Sequence, residues 1–419
     1  MKGRVGAARP GLFDSGGHRA GTQKCLLVGQ IAQKWGHVQK SGPLTGVRVI
    51  ELAGIGPGPT AAMMLADMGA EVLRVDRPTA MRQVIPVQFD VPARGRRSTV
   101  IDLRRPGASE VVLTLVESAD ILIEGNRPGV AERLGVGPEA CLARNPRLVY
   151  GRMTGWGQDG PWASTAGHDI GYIAITGALH AIGARERPTI PLNLVGDFGG
   201  GSTYLVIGLL AALLEARVSG QGQVVDAAIT DGASSLMSMI YGLHATGGWT
   251  DDRSSNLLDG GLPWYDVYQT SDAKHMAVGA IEEQFYQALL QGLGLSAEEG
   301  ARSPDRIPAL RQRFTAIFAT RTRDEWAAIF EGTDACVAPV LSMSEAPGHP
   351  HNAARQTFIA VDGVVQPAPA PRFSRTPSSV AGPPVAAGSH TREALTDWGV
   401  KDVEGLLDAG IVGQAASAS

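Results

Sequence analysis

The stretch that decides the fold runs from Val47 to Asp76 and reads VRVIELAGIGPGPTAAMMLADMGAEVLRVD. It opens with a short β-rich run and breaks at a turn rich in glycine and proline. An apolar pattern of helical period then extends to Met68, Gly69 ends it, and a second β-rich run begins at Glu71. Strand, helix and strand in this order predict a βαβ unit, and therefore a parallel sheet with a right-handed crossover.

The same alternation continues beyond this unit. We predict strands at 98–103, 121–124 and 148–152, with helices at 107–118 and around 130–134. Strands that alternate with helices are typical of a doubly wound parallel sheet. The sequence therefore predicts a large Rossmann-like α/β domain over residues 43–245.

The glycine-rich turn after the first strand invites comparison with a dinucleotide-binding turn. Its glycines at 54, 56 and 58 follow the spacing GxGxG and not GxGxxG. Pro57 and Pro59 also remove backbone N–H donors where a pyrophosphate would need them. The pattern therefore argues against a bound nicotinamide or flavin.

The remaining segments differ in composition. Residues 1–42 are basic with a single acid, Asp14, which is typical of a disordered extension, although an organelle transit peptide has the same bias. A polar linker is predicted at 246–263 and a smaller α+β domain at 264–364. The Pro- and Ala-rich residues 365–419 are predicted to return to the large domain and end in a tail.

Composition limits the functional classes. The 419 residues carry a net charge of −4, which gives no drive towards nucleic acid or anionic lipid. Three cysteines without a CxxC pair predict reduced thiols and a cytoplasmic location. The longest apolar run, Tyr204–Leu214, closes on Glu215 and predicts a buried helix and no membrane span. Metalloprotease, serine hydrolase and nucleotide triphosphatase motifs are absent, so no metal and no cofactor is predicted.

Two titratable residues stand out for chemistry. His168 and Asp197 each lie on a glycine-flanked turn beside an apolar segment. A histidine and a carboxylate held near one core can exchange protons near neutral pH. The plainer alternatives are a structural histidine and an acid near the start of the helix predicted from Thr203, whose cap position falls better on Gly201 or Ser202.

Other charged residues give weaker signals. Glu282 follows a predicted strand, and its spacing alone indicates a surface acid that opens a helix. Five arginines near strand ends suggest a phosphate-bearing ligand, with a solvated face as the alternative; they are Arg77, Arg94, Arg96, Arg97 and Arg104.

From about Pro43 to Pro377 the sequence resembles the α-methylacyl-CoA racemases of the family III (CaiB/BaiF-type) CoA-transferase superfamily. The resemblance rests on many segments in the same order along the chain. They include Ala53–Pro59, Asp76–Pro78, Met153–Gln158, Ala166–Tyr172, Asn193–Gly201, Gly220–Asp226, Leu258–Gly261, Ala277–Tyr286 and Asp334–Val337.

The resemblance implies a large α/β domain, a smaller domain and an interlocked homodimer. It places the catalytic histidine at His168, the catalytic aspartate at Asp197 and a glutamate that hydrogen-bonds the histidine at Glu282. The backbone amide of Asp169 would hold the thioester oxygen. The implied CoA contacts are Arg77, Ile101, Asp102, Leu103, Arg104 and the segment from Gly167 to Tyr172.

The activity implied is the interconversion of (R)- and (S)-2-methylacyl-CoA by two bases through an enolate, with CoA as part of the substrate. A CoA-transferase with Asp197 as nucleophile is one alternative. A catalytically inactive acyl-CoA-binding protein is another. At position 171, in the expected catalytic loop, this chain has glycine where the family usually has asparagine. The identity of the acyl chain is left open.

Overall fold

The computed structural model describes residues 41–78 and 85–415. The predicted N-terminal extension lies outside these residues except for its last two positions. The first half contains β1 (Arg48–Leu52), α1 (Pro57–Asp67), β2 (Glu71–Asp76), β3 (Arg97–Ile101), α2 (Ala108–Val116), β4 (Ile121–Glu124), α3 (Val130–Arg133), α4 (Pro138–Arg144) and β5 (Val149–Thr154).

The middle of the chain carries the segment in which both candidate catalytic residues lie. Its elements are α5 (Asp169–Ala174), α6 (Ala178–Ala181), β6 (Gly183–Ala184), β7 (Arg187–Pro188), a π-helix (Leu194–Thr203), α7 (Tyr204–Ser219), β8 (Val224–Ala228), α8 (Ile229–Leu236) and α9 (Ser238–Ala245).

The last part forms a smaller set of elements and a C-terminal return. They are β9 (Tyr265–Gln269), β10 (His275–Gly279), α10 (Glu283–Leu293), α11 (Ile307–Phe318), α12 (Arg323–Phe330), β11 (Val337–Pro339), α13 (Pro350–Ala354), β12 (Phe358–Val361), β13 (Val364–Pro367), α14 (Thr391–Asp397), α15 (Val403–Asp408) and β14 (Val412–Gly413).

Seven strands form the central sheet in the order β14-β3-β2-β1-β4-β5-β8. All neighbours are parallel except β14, which pairs antiparallel with β3. The chain places β2 and β3 on one side of β1, then crosses to place β4, β5 and β8 on the other. This order confirms the predicted α/β sheet and creates a topological switch point between β1 and β4.

Helices cover both faces of the sheet, which is why its central strands are rich in buried apolar residues. In β4, Leu122 belongs to the core beneath α2, whereas Ile121 and Ile123 belong to the core beneath α1 and α7. Successive side chains of a strand point to opposite faces, so a strand buried on both faces needs apolar residues at every position.

The apolar helix is longer than the sequence predicted, because the π-helix continues directly into α7. The combined run Leu194–Ser219 is by length and composition apolar enough to cross a membrane, and 44% of its most apolar window is buried. One face packs on the sheet through Leu205, Leu209 and Leu213. The opposite face leaves Ile207 and Leu214 exposed. The prediction of a buried helix therefore holds for one face only.

The smaller unit has an aromatic core. The antiparallel sheet β11-β10-β9 packs with α10, α11 and α12. Tyr268 stacks on Phe318 at a ring-centroid distance of 5.0 Å. The hairpin β12–β13 was not predicted, although Asp362-Gly363, both with positive φ, is a typical type I′ turn. The predicted domain boundaries stay predictions.

Candidate active site

A cavity of about 420 Å³ opens at the carboxyl ends of β1, β4 and β5. Its walls include the glycine- and proline-rich turn 54–59, the residues that follow β4 and β5, and the segment from Thr165 to Tyr172. His168 and Asp197 both line it. Ligands of open parallel sheets bind at this edge, beside the switch point of the strand order. The structure therefore brings together the two residues that the sequence singled out.

His168 lies immediately before α5 in an extended conformation, and its carbonyl oxygen accepts the N–H groups of Gly171 and Tyr172. Its imidazole is exposed in the single chain. The preceding Gly167 has no room for a side chain, because an added Cβ would lie 2.4 Å from Tyr172 Cε1. The close packing of this ring holds the backbone that presents His168.

Asp197 lies within the π-helix and not on a turn, which corrects the predicted cap at Gly201 or Ser202. The helix runs through the glycines because they pack closely on α8. A Cβ on Gly200 would lie 2.5 Å from the backbone nitrogen of Ala233. The wider turn is visible in the N–H of Phe198 donating to the carbonyl of Asn193. Single π-type turns are frequent at functional sites.

The environment of Asp197 favours its protonated form. Burial raises the pKa of its carboxyl group, and the neighbouring carboxylate of Asp169 raises it further. The Asn193 amide and His168 act in the opposite direction but do not cancel the shift. A carboxyl group with a raised pKa can both give and take a proton nearer to neutral pH.

A second cavity, of about 350 Å³, lies next to the first at the carboxyl ends of β2 and β3. Leu52 and Asn126 line both cavities, which are therefore adjacent, and we call the second cavity the groove. Arg77 donates to the side-chain oxygen of Asn126 at 3.1 Å. The lining includes every CoA contact that the resemblance implied outside 167–172, namely Arg77, Ile101, Asp102, Leu103 and Arg104.

The predicted cluster of five arginines does not exist as one site. Arg94 is buried in an ion pair with Asp67, and Arg96 is buried in one with Glu51. Arg97 bridges two further acids, Glu71 and Asp397. These three arginines precede or begin β3, where they pair with acids instead of facing a ligand. Only Arg77 and Arg104 reach the groove.

Glu282 stands apart from the cavity within the single chain. It is the exposed residue that precedes α10, and it makes no side-chain hydrogen bond with any residue in 41–78 or 85–415. Partial desolvation and then the nearby carboxylate of Glu282 raise the pKa of the Cys336 thiol. Every residue that lines the cavity of His168 lies between Glu51 and Ile229. The contact between Glu282 and His168 stays a prediction.

Sequence reasoning missed two polar residues of this candidate site. Asn126 and Arg127 follow the buried strand β4 and line the cavity of His168. Their position after a strand at the switch point was the available signal.

Gly171, expected in a loop, lies inside α5, and a Cβ there would meet only Trp156 at 3.9 Å. In the described part of the chain, no three His, Cys, Asp or Glu residues are grouped to hold a metal ion.

Several known proteins are similar to this chain in sequence or in fold. The chain is 45% identical over 369 residues to the alpha-methylacyl-CoA racemase of Mus musculus, which covers 86% of this chain and 94% of the relative. It is 43% identical over 364 residues to the alpha-methylacyl-CoA racemase of Homo sapiens, over 85% and 93% of the two chains.

A crystal structure of a CaiB/BaiF family protein from Brucella suis superposes with a TM-score of 0.74 at 25% identity, over 85% of this chain and all of the other. The family model for CoA-transferase family III matches residues 44–391. This range contains both cavities and all the candidate catalytic residues. The chain belongs to CoA-transferase family III.

Proposed function

We propose that this protein is a racemase that interconverts the (R) and (S) forms of 2-methylacyl-CoA thioesters. The observation that carries the proposal is that His168 and Asp197 line one cavity, and that the adjacent groove is lined by Arg77 and Arg104. The similarity to two proteins named as alpha-methylacyl-CoA racemases supports it. In this proposal the CoA moiety occupies the groove with Arg77 and Arg104, and the thioester reaches His168 and Asp197.

The proposed reaction is a proton exchange at the α-carbon. One base takes the α-proton, the C–H electron pair forms the π bond of the enolate Cα=C double bond, and the π electrons of the carbonyl group move to the thioester oxygen. The backbone N–H of Asp169 would donate to that oxygen, because the first residue of a helix has no carbonyl partner within the helix. The conjugate acid on the opposite face returns a proton. His168 and Asp197 exchange the two roles with the handedness of the substrate.

The direction of the Asp197 pKa supports proton exchange over acyl transfer. A racemase needs a carboxyl group that can be protonated in one direction and ionised in the other. A transferase needs the ionised carboxylate as nucleophile. The burial and the Asp169 charge that raise the pKa of Asp197 both act against the nucleophile.

The decisive experiment is deuterium exchange at Cα of 2-methylacyl-CoA in D₂O. We expect exchange together with epimerisation, and a loss of about 10²- to 10⁴-fold in His168→Ala. His351→Ala removes an exposed histidine of α13 and serves as the matched control. Transfer of the acyl group to a free acid without exchange would identify a transferase. Neither reaction, with CoA thioester still bound, would identify an inactive binding protein.

We further propose an interlocked homodimer in which Glu282 of one copy reaches His168 of the other. Two features of the single chain support this arrangement: Glu282 lies outside the cavity, and the imidazole of His168 is exposed. A second copy seated on the opening would supply the glutamate and exclude water, which strengthens the interaction of the N–H donor with the enolate oxygen.

Mixed dimers test this arrangement. His168→Ala and Glu282→Ala chains, each with a different tag, are co-expressed and the heterodimer is isolated with both tags. If Glu282 acts across the dimer, one of the two sites is complete and the heterodimer regains about half of the wild-type exchange rate. If it acts within its own chain, both sites are defective and the heterodimer is as inactive as the two parent variants.

A further inference from the structure

The side chain of Asp169 joins the two candidate catalytic segments. Its own backbone follows His168 directly and begins α5. Its carboxylate Oδ1 accepts the backbone N–H of Asp197 at 2.7 Å. The mechanism above uses only the backbone N–H of Asp169, so it gives this buried carboxylate no role.

The contact has a physical reason in the π-helix. The first N–H groups of a helix lack intrahelical partners. The first i to i+5 bond of this helix runs from Phe198 to Asn193, so the N–H of Asp197 is one of those without a partner inside the helix. The carboxylate of Asp169 supplies the acceptor, and a negative charge at a helix N-terminus is favourable.

The surrounding residues are shaped around this carboxylate. A Cβ on Gly196 would lie 2.3 Å from Asp169 Oδ1, so any larger residue there would displace this carboxylate. Asp169 is 8% exposed, and its second oxygen, Oδ2, has no hydrogen-bond partner among residues 41–78 and 85–415. The hydroxyl of Ser202 donates to the carbonyl of Asp197. The backbone N–H and the backbone carbonyl of Asp197 therefore each have a side-chain partner.

We propose that Asp169 is a positioning residue whose carboxylate fixes the backbone of Asp197 relative to His168 and supplies the negative charge beside the Asp197 carboxyl group. The inference rests on the proposed racemase function and deepens it. A single residue then sets both the distance between the two proton-transfer groups and the protonation of one of them. Holding reacting groups in place is worth large factors in rate, since a misplacement of about 1 Å can cost about 100-fold.

Other groups also act on Asp197, and they define what must stay constant in a test. His168 and the Asn193 amide lower its pKa, whereas burial and Asp169 raise it. Burial and then the charge of Asp197 raise the pKa of the Tyr172 phenol, and the charge of Arg127 acts in the opposite direction. His168, Asn193, Tyr172 and Arg127 stay unchanged in the Asp169 variants below.

Two variants separate position from charge. Asp169→Asn keeps an oxygen that can accept the Asp197 N–H but removes the charge. Asp169→Ala removes both. Neither changes the backbone N–H proposed for the thioester oxygen. We expect Asp169→Asn to lose less kcat for Cα exchange than Asp169→Ala loses, and the acid limb of its kcat/KM profile to move to lower pH. We expect Asp169→Ala to lose about 100-fold in kcat.

A readout that needs no activity keeps the inference separate from the proposed function. The Asp197 carboxyl carbon is titrated by ¹³C NMR in wild type and Asp169→Asn, with Asp197→Asn identifying its signal. A lower titration midpoint in Asp169→Asn supports the inference even if the wild type shows no racemase activity. An unchanged midpoint would overturn the electrostatic part. Equal kcat in Asp169→Ala and wild type would overturn the positioning part.

Discussion

Arginines of two kinds lie within 28 residues of one another around β3, between positions 77 and 104. Arg94 and Arg96 are buried and paired with acids that are equally buried. Arg77 and Arg104 are exposed and follow the carboxyl ends of β2 and β3, where the groove lies. The arginines that precede β3 thus stabilise the fold, whereas the arginines that follow β2 and β3 face the groove.

The two groups differ in what compensates their charge. Arg94 donates to both carboxylate oxygens of Asp67 and also to Gln366 and the carbonyl of Pro367. Arg77 donates only to a neutral amide and has no acid partner in the described part of the chain. A positive charge without an acid partner is available for a phosphate, whereas a buried one with four acceptors is not. Each variant below tests that distinction.

The largest effect is expected for Arg94→Met. It leaves the carboxylate of Asp67 buried without its counter-charge, and breaking such a pair costs about 3–5 kcal/mol of the free energy of unfolding. Chemical denaturation measures it. The double variant Arg94→Met/Asp67→Leu should recover most of the loss, because no buried charge then stays unpaired. A loss below about 1 kcal/mol in the single variant would contradict the assignment of Arg94 to the core.

Arg77→Ala should affect ligand binding and leave stability unchanged. Losing one hydrogen bond to a charged group costs about 1.5–3 kcal/mol, so KM for the CoA thioester should rise about 10- to 100-fold with kcat preserved. Steady-state kinetics and thermal unfolding of the same preparation check both statements. A fall in melting temperature with unchanged KM would show that Arg77 stabilises the fold and does not bind the ligand.

Arg97 leads to a prediction about pH. Burial would raise the pKa of Glu71, but the charge of Arg97, a hydrogen bond from Trp398 and the charge of Arg48 outweigh it and lower this pKa. A lowered pKa means that the ionised group stabilises the fold above its ordinary value of about 4.5 and that this stability disappears as pH falls through the folded-state pKa. In Glu71→Gln, thermal unfolding between pH 7 and pH 3 should therefore show a flatter acid limb. An unchanged limb would contradict the pairing.

The smallest effect is expected for Arg104→Ala. Arg104 is 72% exposed and already pairs with Asp102 at 2.9 Å, and solvent screens such an exposed ion pair so that it contributes little. KM should rise no more than about 5-fold, and salt should reduce the difference from wild type. The matched comparison is Arg77→Ala at the same ionic strength. An effect of Arg104→Ala larger than that of Arg77→Ala would reverse the ranking of the two groove arginines.

Local patterns were sufficient for most of the elements. The run from Val47 to Asp76 determined the first βαβ unit, because its apolar periods and Gly69 act over neighbouring residues only. The resemblance of the ordered motifs correctly identified the family. The sequence predicted His168 on a glycine-flanked turn, and the structure places it directly before α5.

The π-helix was beyond local reasoning. Leu194 to Thr203 contains four glycines and has the composition of a turn, yet it is helical because its glycines pack against the backbone of α8. Whether each of the five arginines forms a buried ion pair likewise depends on which acids the folded chain brings to it. Sequence alone therefore predicted the first strands and helices of the sheet and singled out His168 and Asp197, which line one cavity. Only the tertiary structure decided which charges are neutralised, because contacts between residues far apart in the chain depend on how the layers pack.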